Sequence, residues 1–238
     1  MSNLDERLYV AYASTHAGNS HRRSTELIYR RDIRPYLPAG RTGARVLDIG
    51  AGQGELVRLL TADGFAARGI DISPEQVALA HAAGVAQVSL GDFRSSLASA
   101  EGAWDAVIAT DVLEHLDKPE ILSTLDQIVL ALRPGGLFLA RVPNAVSPTG
   151  GHIMYGDVTH QTCFTRDSVV QLASVAGFHH VRTFACPPVP HGVPSALRAA
   201  LWKPISGLLK LALAAETGRL RGHIVTHNLV FAAYRGPT

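Results

Sequence analysis

ARVLDIGAGQG, residues 44–54, runs from branched apolar residues into Asp48 and then into glycines at positions 50, 52 and 54. A helical pattern follows, so the stretch reads as the first strand, loop and helix of a nucleotide-binding βαβ unit. Gly50 permits a sharp turn off the strand, Gly52 removes a side chain where a cofactor approaches the backbone, and Gly54 lets the helix start close to the sheet. A second strand ends at Asp71 within GIDIS (69–73), 19 residues after Gly52. A carboxylate in that place can accept both hydroxyl protons of an adenosine ribose.

A dinucleotide fingerprint is GxGxxG, but Glu55 directly follows Gly54 here, leaving GxGxG and then an acid. Glu55 and Asp48 would repel a pyrophosphate, whereas both suit a ligand carrying an ammonium and a sulfonium. That points to S-adenosylmethionine. VLDIGAGQG, GIDIS, LGDF, WDAVIATDVLEHL and RPGGLFLARVPN, taken in order, resemble the successive motifs of class I methyltransferases across about residues 40–185 and the final strand. The resemblance implies a Rossmann-like α/β fold: a seven-stranded, mostly parallel sheet with helices on both faces and an antiparallel last strand. It also implies cofactor contacts at Asp48, Gly50, Ala51, Gly52, Gly54, Asp71, Ile72, Asp92, Phe93, Thr110 and Asp111. Within that set, Asp92 would accept from the adenine amino group and Phe93 would cover the ring.

Length and composition agree with one α/β domain: 238 residues, 47% hydrophobic and 18% charged. A formal charge of +2, without a dense basic run interleaved with aromatics, disfavours a nucleic-acid partner. Cys163 and Cys186 lack CxxC spacing, and no signal peptide or membrane-spanning run is evident, so a cytoplasmic setting is expected.

Residues 1–43 read as an N-terminal helical cap, with STELIYRRDIRPYL as its helix and Tyr12, His16 and Asn19 as candidate contacts. The competing reading is a helix anchored in the core by its aromatics. The resemblance implies that residues 44–238 form the methyltransferase domain, with a helical insertion at about 187–223. Strands are expected at VLDIG, AARGIDIS, QVSLGDF, WDAVIAT, GLFLARVPN, HHVRTFAC and HNLVFAAYR, with helices between them. Ser73 and Thr165 are expected N-caps. Ligands of such sheets sit at the carboxyl ends of the strands, where Asp48, Asp71, Asp92, Asp111 and Pro143 fall.

Methyl transfer from a sulfonium is an in-line displacement that needs positioning and at most one base. An alcohol needs that base more than a phenol does. His115, in DVLEH just after the fourth strand, is one candidate. The loop HIMYGDVTHQTCFT supplies others: His152, Asp157 and His160, with Tyr155 and Thr159 beside them. Asp111, Glu114, His115 and His160 also resemble the ligand pattern of methyltransferases that use a divalent metal, although a metal-free site is favoured.

Residues 187–223 read as an insertion rich in Leu and Ala, with Trp202 and basic flanks. It suits an amphipathic pair of helices on a membrane or a lipid-linked substrate, through 197–215, a homodimer interface, or a helix covering the sheet edge, and Pro204 with Gly207 is expected to prevent one long helix. The acceptor indicated by the resemblance is a sugar hydroxyl of a glycan or glycosylated small molecule, with a quinol or phenol as the alternative. Readings from other classes are a nicotinamide-dependent oxidoreductase and an inactive cofactor-binding module.

Overall fold

The computed structural model describes residues 21–38 and 42–237. The first of these segments is α1 (His21–Ile28), a π-helical turn (Tyr29–Ile33) and a 3-10 turn (Arg34–Tyr36). Then come β1 (Arg45–Ile49), α2 (Glu55–Ala62), β2 (Ala66–Asp71), α3 (Pro74–Ala82), β3 (Val88–Leu90), α4 (Phe93–Ala98) and β4 (Trp104–Thr110). After a 3-10 turn (Leu113–His115) follow α5 (Lys118–Ala131), β5 (Leu132–Pro143), α6 (Gly150–Met154), α7 (Arg166–Val175), β6 (Phe178–Ala185), α8 (Val193–Thr217) and β7 (Asn228–Arg235).

The described strands form one sheet in the order β3-β2-β1-β4-β5-β7-β6. Pairings through β3, β2, β1, β4 and β5 are parallel, and β7 lies antiparallel between β5 and β6. The expected sheet, including its reversed last strand, is therefore the observed one. Alternate strand residues separate into two cores: Leu47, Val107, Phe138 and Phe231 on one face, Val46, Ala106, Leu139 and Val230 on the other. Both faces being covered is why the strands read as continuous apolar runs rather than as alternating patterns. Ile121, Leu125 and Ile128 of α5 close the first face, and Leu56, Val57 and Leu60 of α2 close the second. Each such side chain contributes about 1.5–3 kcal/mol by leaving water.

The segment 21–38 packs beside α2, with Tyr29, Ile33 and Leu37 buried in the second core. The Tyr29 hydroxyl donates to Asp63 at 2.6 Å and Arg34 pairs with the same carboxylate at 2.7 Å. This part of the expected cap is thus anchored by its aromatic and aliphatic residues; Tyr12, His16 and Asn19 lie outside the described residues.

Three boundaries depart from the sequence reading. β3 stops at Leu90 because Asp92 turns its carboxylate onto the Arg94 amide, at 2.9 Å, and caps α4 instead of extending the strand. β5 begins at Leu132, so Pro134 and the two following glycines form an irregularity at its start rather than a stop before it. The largest departure is α8, which is one continuous helix of 25 residues with Pro204 inside. Proline removes one backbone hydrogen bond and crowds the carbonyl of Ala200, about 3 kcal/mol, but Leu- and Ala-rich turns on both sides favour the helix and Ala200 is exposed to solvent.

Candidate active site

The carboxyl ends of the parallel strands form one rim. There Gly50 and Ala51 donate their amides to Ile70 O at 2.9 and 3.1 Å, folding the glycine loop back over β2. Gly50 has φ +71°, and a methyl group on it would meet Val112 Cγ2 at 2.5 Å. The loop therefore needs glycine there both for its turn and for the close approach of the segment after β4. Gly54, at φ +75°, is the N-cap of α2.

Asp71 does point into this loop. Its Oδ2 accepts the Gly52 amide at 2.7 Å and its Oδ1 the Ser73 amide at 2.8 Å. Asp48 is buried beside it; burial first, and the Asp71 carboxylate second, push its pKa well above the ordinary carboxylate range. Burial also raises Asp71, against the lowering effect of the two amides. Two adjacent acids that resist ionisation make a place where a cationic ligand would relieve the repulsion. Glu55 does not share that task as expected: its carboxylate is held by Arg58 at 2.6 and 3.0 Å within α2.

Ser73 caps α3 and Ile72 is half-buried beside it. Asp92 and Phe93 meet the rim at the end of β3, where Arg94 stacks over the Phe93 ring at 5.6 Å and ion-pairs with Asp92 and Glu120. Thr110 ends β4. Its hydroxyl and the side-chain oxygen of Gln76 are buried with no hydrogen-bond partner among the described residues. Orphaned polar atoms at a rim with a glycine loop fit a polar cofactor that supplies their partners.

Asp111 follows Thr110 at φ 56°, and pairs with Arg141 of β5. Arg141 was missed as a site residue, although an arginine within the apolar strand GLFLARVPN is a visible signal. Its pairing draws Asp111 away from the metal pattern. Glu114, His115 and His160 do converge, with one donor atom of each within 4.8 Å of the others. Glu114 is fully buried, and that burial, with Asp111 nearby, pushes its carboxyl well above the usual range; its Oε2 lacks a partner among the described residues. A protonated carboxyl is a poor ligand, so a cation there would first have to displace a proton.

The loop after β5 is stitched onto the turn after β4. Gln161 and Thr162 donate their amides to Glu114 O at 2.7 and 3.1 Å, and the Gln161 side chain donates to His115 O at 2.9 Å. These bonds bring the histidines together: the His115 and His160 rings stand edge to face, 4.7 Å between centroids. His115 Nδ1 lies 2.8 Å from Thr159 Oγ1, and that hydroxyl donates to Asp157 Oδ1 at 2.7 Å. Because Thr159 spends its proton on the carboxylate, it must accept from His115, which places the imidazole proton on Nδ1 and the lone pair on Nε2. His160 sits 4.0 Å from the other Asp157 oxygen and turns Nδ1 to Ile153 O at 3.1 Å. His152 is exposed on α6 and faces His227, 6.3 Å between centroids, so it stands apart from the relay. In the sequence Thr159 is only a loop neighbour of the candidate residues; nothing there links it to a histidine 44 residues away.

A methyltransferase domain family model matches residues 20–183, and the chain belongs to that family. Its fold and glycine loop are those of an S-adenosylmethionine-dependent methyltransferase domain. The chain is 38% identical over 106 residues to a Geobacillus sp. (strain WCH70) protein provisionally named a methyltransferase, covering 42% of this chain and 43% of the relative. It is 33% identical over 107 residues to the ubiquinone biosynthesis O-methyltransferase of Xylella fastidiosa (strain 9a5c), again covering 42% and 43%. The chain thus spans less than half the length of these curated relatives. A methyltransferase from Archaeoglobus fulgidus shares the fold with a TM-score of 0.67 at 20% identity, covering 90% of this chain and 94% of that one. The nicotinamide reading is set aside by this membership.

Proposed function

We propose that this chain is an O-methyltransferase in which His115 is the general base toward an acceptor hydroxyl, a sugar hydroxyl of a glycan or glycosylated molecule. The observation that carries the reading is the Asp157–Thr159–His115 relay, which directs a basic nitrogen away from its own support. When bound, S-adenosylmethionine supplies an electrophilic methyl on a sulfonium. The chain's own residues do the rest. Asp71 holds the ribose hydroxyls, Asp48 answers the positive charge, and Thr110 takes a hydrogen bond it otherwise lacks. His115 Nε2 removes the acceptor proton as oxygen attacks, and Thr159 with Asp157 steadies the imidazolium that results.

The polar character of the rim, with His115, His160, Asp157, Arg141 and Asp111 close together, supports an acceptor rich in hydroxyls. A quinol or phenol is the second reading, favoured by the likeness to ubiquinone biosynthesis O-methyltransferases. A screen of sugar and phenol acceptors with labelled S-adenosylmethionine separates them. On the accepted substrate, His115→Gln is expected to lower kcat by about a thousandfold with cofactor affinity unchanged. Unchanged turnover in that variant would remove His115 as the base.

A further inference from the structure

A cluster of cations stands beside the loop that carries Asp157, Thr159 and His160. α8 stops at Gly218, φ +72°, and the returning chain supplies Arg219, Arg221 and His223. α7 begins opposite them with Thr165, Arg166 and Asp167, and the two segments enclose a cleft of about 80 Å³, room for one phosphoryl group or a few waters. His223 Nε2 donates to Arg219 O at 2.6 Å, which fixes the turn bearing the arginines. The Arg166 guanidinium lies over Gly222, φ +89°, where any Cβ would collide with it. Asp167 is the one acid lining the cleft, and Arg219 takes it at 2.7 Å. Arg166 and Arg221 are exposed and have no hydrogen-bond or ion-pair partner among the described residues. Three cations against one acid thus leave two positive charges unanswered, beside the first turn of α7, whose dipole adds to them.

The fold sets this cleft at the strand-end rim. β5 and β6 are both antiparallel to β7, so α7, which leads into β6, begins at the end of the sheet where β5 finishes. Val146 and Thr165 of the cleft stand near the two ends of the loop after β5, which a bridge between Asn144 and Phe164 closes. The Asn144 amide donates to Ile224 O and Thr226 O, each at 2.8 Å, and so ties the returning chain to that loop. Ile224 packs on the same core as Leu113 and Leu116, which flank the turn of His115. Thr165 follows His160 by five residues, at most about 18 Å of chain.

We propose that this cleft binds a phosphoryl group carried by the acceptor, with Arg166 and Arg221 on its oxygens while the acceptor hydroxyl meets His115. Two unanswered charges match a phosphate monoester or a diphosphate, and forked guanidiniums offer more donors than the two oxygens of a carboxylate use. That the anion belongs to the acceptor rests on the proposed function; the anion site itself does not.

The test begins with calorimetric titration of the full chain with inorganic pyrophosphate at fixed ionic strength. Binding is expected, and Arg166→Gln with Arg221→Gln should weaken it about tenfold or more. S-adenosylmethionine affinity of the double variant should equal that of the parent, which shows that the fold is intact. No binding by the parent, or equal binding by the variant, overturns the site. The second arm compares the accepted sugar with its phosphorylated form. The phosphorylated form should have a KM about tenfold lower or more, a preference that the double variant loses. Pyrophosphate binding without that preference overturns the link to the acceptor. Methylation of phenols alone would sink the sugar reading and that link together, while the pyrophosphate titration judges the cleft separately.

Discussion

The two halves of the rim are built in different ways. The half around β1 and β2 is made of backbone: amides of Gly50, Ala51, Gly52 and Ser73 bond to β2 or to Asp71, within a single βαβ unit. The half around β4 and β5 is made of side chains from distant segments, with Thr159 reaching His115 and Arg141 reaching Asp111. A site built from backbone depends on a few residue types at fixed spacing. A site built from side chains depends on where loops happen to pack. The first half is therefore tied to its residue types, and the second to the packing of its loops.

Asp71→Ala tests the backbone-built half most severely. Loss of a carboxylate that holds two amides, and that the proposed function sets against the ribose, should weaken S-adenosylmethionine binding by about a hundredfold in calorimetry. An effect below threefold would mean that the loop alone binds the cofactor. Gly50→Ala acts through strain, combining a positive φ with a 2.5 Å approach to Val112. Stability should fall by about 2 kcal/mol, a drop of roughly 4–8 °C in Tm by calorimetry.

Thr159→Val keeps the shape of a side chain in the second half but removes the hydroxyl between Asp157 and His115. Turnover should fall about tenfold, with a shifted pH-rate profile and unaltered cofactor affinity. A uniform rate loss without a change in the profile would reduce Thr159 to packing. The smallest effect belongs to Asp48. Its folded pKa is raised, so its contribution to stability is present at low pH and is lost as pH rises from about 4 through the raised value. Asp48→Asn should make the cofactor-free protein more heat-stable than the parent at neutral pH, with a gap that shrinks on acidification. The same variant should bind cofactor several-fold more weakly, because the charge that costs stability is the one that meets the sulfonium.

How far the sequence could be read follows the same division. The sheet, its reversed last strand, the caps at Ser73 and Thr165 and the inward turn of Asp71 were legible because each rests on local spacing. Glu55 was misread because its neighbour Arg58, one helical turn on, neutralises it. The relay through Thr159 and the Arg141–Asp111 pair were illegible, since they need two loops folded against one another. Pro204 misled in the other direction. A proline signals a break only where the flanking turns are weak helix formers, and those of α8 are strong.

The reversal of β7 has an evolutionary side. Adjacent antiparallel strands can be joined by a turn of two residues, yet here the join holds a helix of 25 residues. Because departure and return lie side by side, chain can be added or trimmed at this point without moving any strand. The fold thus keeps a point of insertion at the strand-end rim, where chain length can vary while the sheet stays unchanged.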